Sequence, residues 1–271
     1  RYQPHSASDV LHNQYGDCKD KHTLLAALLE ASGYHASSVL INSTRKLDVF
    51  VPSPSQFDHV ITMLPYKGQQ FWMDTTTEIA PFQLLMFQLR KKQALVVPAS
   101  GTPGLMETPA DSPVPNTQFT EVTGKVSELG KLTAHVKVTF SGDAELPLRA
   151  AFRQTPQMQW KELGKAIAYM QGMRGEAKDV TPDDRTKSMG PYHVEYSVEV
   201  PNFVEWSKRN SQLALPMTPL RLPESSDADE TAPDAFEIGA PGKVTYRLKL
   251  ELPAGFSARA PLPFSMARDY A

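Results

Sequence analysis

Cys18 is the only cysteine among 271 residues. It stands in Tyr15-Gly16-Asp17-Cys18-Lys19-Asp20-Lys21. A lone free cysteine is more often a small buried hydrophobe than a nucleophile. Here the surroundings are polar and glycine-bearing, unlike those of a core position. A helical pattern starts at this point, so Cys18 falls at a helix N-terminus. The dipole and the free N–H groups there favour a thiolate. Lys19 and Lys21 add to that field, while Asp17 and Asp20 oppose it. Gly16 would permit a sharp bend into the helix and the close approach of a substrate backbone.

A thiol nucleophile needs a base to take its proton and to protonate the leaving group. A third polar group must hold the imidazole in its tautomer and orientation. Two later segments carry these types: Phe57-Asp58-His59-Val60 and Phe71-Trp72-Met73-Asp74-Thr75-Thr76. Alone, His59 reads as a hydrogen-bonded strand histidine and Asp74 as a strand-end cap. In this order behind Cys18 they read as nucleophile, base and orienter of acyl transfer through a thioester. The Cys18 N–H is the natural first donor to an oxyanion, and Gln14 is the candidate side-chain donor. Trp72 shares a strand face with Asp74, since residues two apart point the same way. It either shields the His–Asp pair or lines a substrate groove, or it is a core aromatic.

The elements that must position these residues are legible around them. Leu24, Leu25, Leu28, Leu29 and Ala31 form a stripe at helical spacing, predicting a helix from about 18 to 32. Gly33 sits where its C-terminal cap belongs. Ser8 or Asp9 could cap a shorter helix before it. Strands are expected at 37–42, 57–64, 70–74 and 94–97. A turn at 65–68 folds 57–74 into a hairpin, which would bring His59 beside Asp74. Residues 82–93 read as helix or loop. Residues 99–116 hold several of the chain's 23 prolines and few bulky apolar residues, the pattern of a linker.

From Phe119 the pattern is strand-rich, at 119–126, 131–140, 192–200 and 243–252. One helix is expected at 156–172, with Trp160, Leu163, Ile167 and Met170 on one face. Residues 222–235 are acidic, serine-rich and bounded by proline, the pattern of a mobile loop. The expected organisation is α+β: a core over 1–98 with a helix packed on an antiparallel sheet, a linker over 99–116, and an antiparallel β-sandwich with an inserted helix over 117–271.

Composition removes several classes of function. Lys+Arg is 28 against Asp+Glu 30, a net charge of −2, and the pI is near 6.4. That balance argues against an electrostatic nucleic-acid binder. No run approaches the roughly 18 apolar residues of a membrane span. His5, His12, His22, His35, His135 and His193 show no zinc-ligand spacing. Asp17, Asp20 and Asp58 form no calcium loop. No phosphate loop or dinucleotide fingerprint appears. No metal or cofactor is expected. Arg90-Lys91-Lys92 reads as a solvated face. The chain opens on Arg1 rather than Met, which reads as a piece or processed form of a longer protein.

Gly16-Asp17-Cys18-Lys19-Asp20-Lys21, Phe57-Asp58-His59-Val60 and Trp72-Met73-Asp74-Thr75-Thr76 together resemble bacterial transglutaminase-like proteins of the papain-like superfamily. The nearest pattern is that of large bacterial proteins of unknown function. Those have an N-terminal β-sandwich domain, a transglutaminase-like core and a C-terminal β-rich domain. The resemblance covers about residues 1–98 and, more weakly, the remainder. It implies a papain-like core with Cys18 as nucleophile, His59 as general base and acid, and Asp74 as orienter. It also implies a peptide or protein amide substrate, turned over by a peptidase, amidase or transglutaminase-type reaction. By the same resemblance the N-terminal domain is missing here and the compartment is the periplasm or cell envelope of a bacterium. In papain-like enzymes a glutamine lies further upstream of the cysteine than Gln14 does. The rival expectation is a non-enzymatic scaffold that binds a peptide or envelope polymer. A redox-sensing cysteine is weaker still, because the chain has no resolving cysteine.

Overall fold

Two short polar sequences start the helices. The Ser6 side chain accepts the Asp9 N–H and begins α1 (Ala7–Asn13). The cap is thus two residues earlier than the Ser8 expected. Helix α2 (Cys18–Ala31) begins on a capping box. Asp17 accepts the Asp20 N–H and the Asp20 side chain accepts the Asp17 N–H, satisfying two donors that a helix start leaves free. Beyond Ala31, Gly33 takes a left-handed conformation (φ +83°) and donates to Glu30 O, as expected of that position. This computed structural model describes residues 3–184, 186–207, 211–213, 215 and 240–259. The expected loop at 222–235 lies outside the described residues.

The first sheet contains β1 (Ser37–Ile41), β2 (His59–Tyr66), β3 (Gln69–Met73), β4 (Gln93–Val97) and β5 (Gly104–Glu107). Its order is β3-β2-β1-β4-β5 and every pair is antiparallel. The β2–β3 hairpin turns on Lys67 and Gly68, both with positive φ, a two-residue turn whose twist suits antiparallel strands. Pro65 and Tyr66, expected in the turn, are the last residues of β2. One face of the sheet buries Val39, Ile41, Ile61, Met63, Trp72, Ala94 and Val96, covered by Leu85 and Leu89. Helix α2 packs on β2.

Residues 99–116 are not the open linker that their prolines suggest. Ala94 pairs with Met106 and Leu95 with Leu105, so β5 is an edge strand of the first sheet. Thr108 is buried and donates to Leu89 O at 2.7 Å. The prolines flank β5 instead of interrupting it, and its four residues are too few for period two to show. Arg90 also departs from expectation. Its side chain is only 7% exposed and joins Leu85 O to Asp143, at 2.7 Å from the carboxylate. It is a buried tie between the segment before β4 and the turn after β7, not part of a solvated basic face.

The second sheet contains β6 (Thr117–Val126), β7 (Leu132–Ser141), β8 (Glu176–Pro182), β9 (Tyr192–Val200) and β10 (Lys243–Glu251), in the order β10-β6-β7-β9-β8. All pairs are antiparallel except β10 with β6. Helices α3 (Leu146–Gln154) and α4 (Trp160–Met170) bury Phe152, Ile167 and Ala168 against Val122, Val136, Val138, Val194 and Tyr196. Among the described residues this half is therefore one mixed sheet under two helices, not an antiparallel two-sheet sandwich. The physical reason lies in the alternation. Leu132, Ala134, Val136, Val138 and Phe140 bury one face, and the other carries polar residues such as Thr133 and His135. The apolar stripe of α4 passes through Gly164, Ile167 and Ala168, leaving Met170 exposed, contrary to expectation. Helix α3 was hidden by Pro147, which is tolerated in a first turn. Strand β8 was hidden by a bulge between Lys178 and Thr181. No described helix is long and apolar enough to cross a membrane.

Ile61 is fully buried between His59 and Met63 along β2. Ile61→Ala should cost about 2–5 kcal/mol, and Ile61→Val about 0.5–1.5 kcal/mol, by urea denaturation. Equal midpoints for the two variants would contradict the packing described.

Candidate active site

Cys18 is the first residue of α2 and is half-buried. Its neighbours are committed to building the helix start. Asp20 is 3% exposed and accepts from Asp17 N–H and from His5 N–H at 2.8 Å, with His5 Nδ1 at 3.0 Å. Burial works to raise the Asp20 pKa, but the hydrogen bonds from His5 and Asp17 prevail and hold it below the ordinary value. Burial likewise opposes ionisation of Asp17. The Lys19 ammonium and the Asp20 N–H outweigh it, so Asp17 is also lowered. Both carboxylates stay charged beside the thiol, and Lys19 offsets one of them.

Gly16 has a packing role. A Cβ there would lie 2.7 Å from Asp20 Cβ and 3.2 Å from Val10 Cγ1. The glycine lets α1 close against the capping box. Gln14 ends α1 in a left-handed conformation (φ +52°), and its side chain is exposed. Among the described residues no hydrogen bond joins it to the Cys18 segment.

The hairpin brings the second and third residues together. His59 Nε2 lies 3.1 Å from Asp74 Oδ2. The Asp74 side chain is 2% exposed and that of His59 16%. The other carboxylate oxygen, Oδ1, accepts Thr76 N–H at 2.9 Å and Thr76 Oγ1–H at 2.6 Å. Burial would raise the Asp74 pKa, yet the hydrogen bonds from His59 and Thr76 lower it, so the carboxylate is charged. A charged Asp74 accepts Nε2–H and so places the free lone pair of a neutral ring on Nδ1. The sequence motif includes Thr76 without a role for it, although its place two residues after the aspartate is the pattern of a side-chain turn.

Three contacts relate the start of α2 to this pair. His22 Nδ1 is 2.8 Å from Thr62 Oγ1 on β2. Tyr34, just beyond α2, meets Tyr66 at the end of β2 edge-to-face, with centroids 5.4 Å apart. Lys21 Nζ is 2.8 Å from Glu78, four residues past Asp74. Helix α2 thus runs in the same sense as β2. Cys18 lies one turn before His22, about 6 Å along the helix, and His59 lies three residues before Thr62, about 10 Å along the strand. The thiol therefore belongs to the end of the sheet that carries His59 and Asp74.

The trio is not closed. His59 pairs with Ile41 across the strands, so alternation puts its ring on the Ile61 face, whereas Thr62 and α2 occupy the other. Among the described residues no hydrogen bond joins Cys18 Sγ to the imidazole. Trp72 is 4% exposed and packs as a core aromatic with Ile61 and Met63. It also borders a cavity of about 290 Å³ with Gln70, Gln83, Leu85 and Arg90. Asp58 braces the preceding loop by accepting from Ser43 N–H and Oγ–H. Among the described residues no group of three or more His, Cys, Asp or Glu could hold a metal ion. No family model, curated protein or solved structure matches the chain.

The lowered Asp74 pKa has a definite sign in stability. The group stabilises the fold above its unfolded value of about 3.9, and that contribution is lost as pH falls through the lower folded value. Urea midpoints measured from pH 5 down to 2.5 should fall more steeply for the wild type than for Asp74→Asn. Parallel curves would show that the folded carboxylate is not held ionised.

Proposed function

We propose that the protein carries out cysteine-dependent acyl transfer on peptide or protein amides. The observation that supports this most is the His59 Nε2–Asp74 bond, which leaves Nδ1 as the basic nitrogen at the sheet end shared with Cys18. In this reading the thiol comes round the end of β2 and gives its proton to Nδ1. The thiolate attacks the amide carbonyl, and the Cys18 N–H at the helix start faces the oxyanion. The protonated imidazole, steadied by charged Asp74, delivers its proton to the departing amine. His59 then deprotonates water or an amine, which resolves the thioester into an acid or a new amide. Water makes the protein a peptidase or amidase, and an amine makes it a transglutaminase-type enzyme. The sequence resemblance supports the bacterial envelope as its compartment.

The scaffold reading has one observation in its favour, the missing hydrogen bond between Cys18 and the imidazole. Alkylation of Cys18 by iodoacetamide separates the two. At pH 7 the wild type should react roughly tenfold faster than His59→Ala, because the reacting species is the thiolate. Asp74→Asn should fall between them. Equal rates in all three proteins would sink the acyl-transfer reading and leave the scaffold.

A further inference from the structure

Helix α2 has little apolar packing to set its register. Asp20 is its only buried residue, and Leu28 is 55% exposed. A helix held by a greasy stripe is located by side chains filling holes. This one lies on β2 with its leucines only partly covered. Among the described residues one side-chain hydrogen bond runs from α2 into the sheet, between His22 Nδ1 and Thr62 Oγ1.

Thr62 makes that bond demanding. It is fully buried in the middle of β2, which is paired on both edges, with β1 and β3. The backbone groups around it are occupied by the ladders, so its hydroxyl takes a partner from the covering helix. A buried hydroxyl without one is strongly disfavoured. Burial also pushes the His22 pKa below its ordinary value, so the ring is neutral at neutral pH and can accept the Thr62 proton at Nδ1. The other two ties are less confined: Tyr34 and Tyr66 are exposed rings, and Lys21, itself half-buried, reaches an exposed carboxylate, Glu78, outside the strands.

We infer that His22 is a positioning residue: its hydrogen bond to Thr62 fixes how far along β2 helix α2 sits and so holds Cys18 at the His59–Asp74 end of the sheet. The spacing makes the bond effective. Cys18 and His22 are four residues apart and share a helix face. With His22 over Thr62, the rises of helix and strand put Cys18 about level with Val60, next to His59 at the strand start. A slip of one turn, about 5.4 Å, would carry it over the middle of β2 or off the sheet. The inference rests on the acyl-transfer reading, because it gives His22 a role only if Cys18 works with His59.

The test compares a disrupting and a conserving substitution at each end of the bond. His22→Ala and Thr62→Val remove it, the second without changing side-chain size. His22→Asn keeps a polar atom near the Nδ1 position, and Thr62→Ser keeps the hydroxyl. Iodoacetamide alkylation of Cys18 at pH 7 should slow roughly fivefold in the disrupting pair and stay within about twofold of wild type in the conserving pair. Unfolding midpoints identify any variant that is not folded, and Thr62→Val carries the comparison if His22→Ala fails. If His59→Ala slows alkylation while both disrupting variants react like wild type, His22 has no positioning role and the acyl-transfer reading stands. If His59→Ala also reacts like wild type, both fail. Lower midpoints with unchanged alkylation would make the bond structural only and overturn the inference.

Discussion

Everything at the candidate site is referred to strand β2. It is hydrogen-bonded on both edges, and its central residues Ile61, Thr62 and Met63 are all buried. The period of two along such a strand leaves no freedom. If Ile61 and Met63 fill the core beside Trp72, then His59 must join them and Thr62 must face α2. A one-residue slip would bury the hydroxyl in the apolar cluster and turn the imidazole away from Asp74. The chemistry of His59 and the docking of α2 are thus two consequences of one register, fixed by apolar side chains that take no part in either.

The polar groups around the site are mostly spent on one another. Asp17 and Asp20 complete the helix start, Asp20 also fastens His5, Thr76 fills the second oxygen of Asp74, and Asp58 holds Ser43. Such mutual satisfaction is what allows carboxylates 2–3% exposed to remain ionised. It also explains a feature that composition alone would mislead on. The acidic residues flanking Cys18 look like an obstacle to a thiolate. They are instead the structural means by which the thiol is carried on a helix N-terminus at all.

How much of this was legible in the sequence depended on the range of the signal. The α2 helix, the hairpin and the alternation of β7 are local patterns, and each appears where expected, with ends shifted by one or two residues, although the leucine stripe of α2 is only partly covered and Leu28 is exposed. The pairing of His59 with Asp74 followed from the hairpin alone. The rest required partners distant in sequence. The packing role of Gly16 shows only once the Asp20 side chain is seen in the space of its absent Cβ. Arg90 looks solvated among two lysines until Asp143, in the turn after β7, arrives beside it. His22 looks like a surface helix residue because its partner, Thr62, is one of the few polar residues in a buried strand. The proline-rich stretch concealed β5, since edge strands can be short and unpatterned. A sandwich was expected where helices supply the covering layer, because alternation shows that one face is buried but not by what.

The parallel pairing of β10 with β6 carries a different consequence. Arg247 and Glu121, joined across that pair at 2.9 Å, are 126 residues apart in the chain. Among the described residues one edge of the sheet is therefore made by a strand from far along the sequence, and that strand presents Lys243, Arg247, Lys249 and Glu251. Charge of this kind on an edge discourages the addition of a foreign strand. Without β10 the edge would pass to β6, ten residues long, with an unpaired row of backbone donors and acceptors. Among the described residues β10 thus gives this side of the second sheet a charged edge, the kind that is harder to extend than the bare β6 would be.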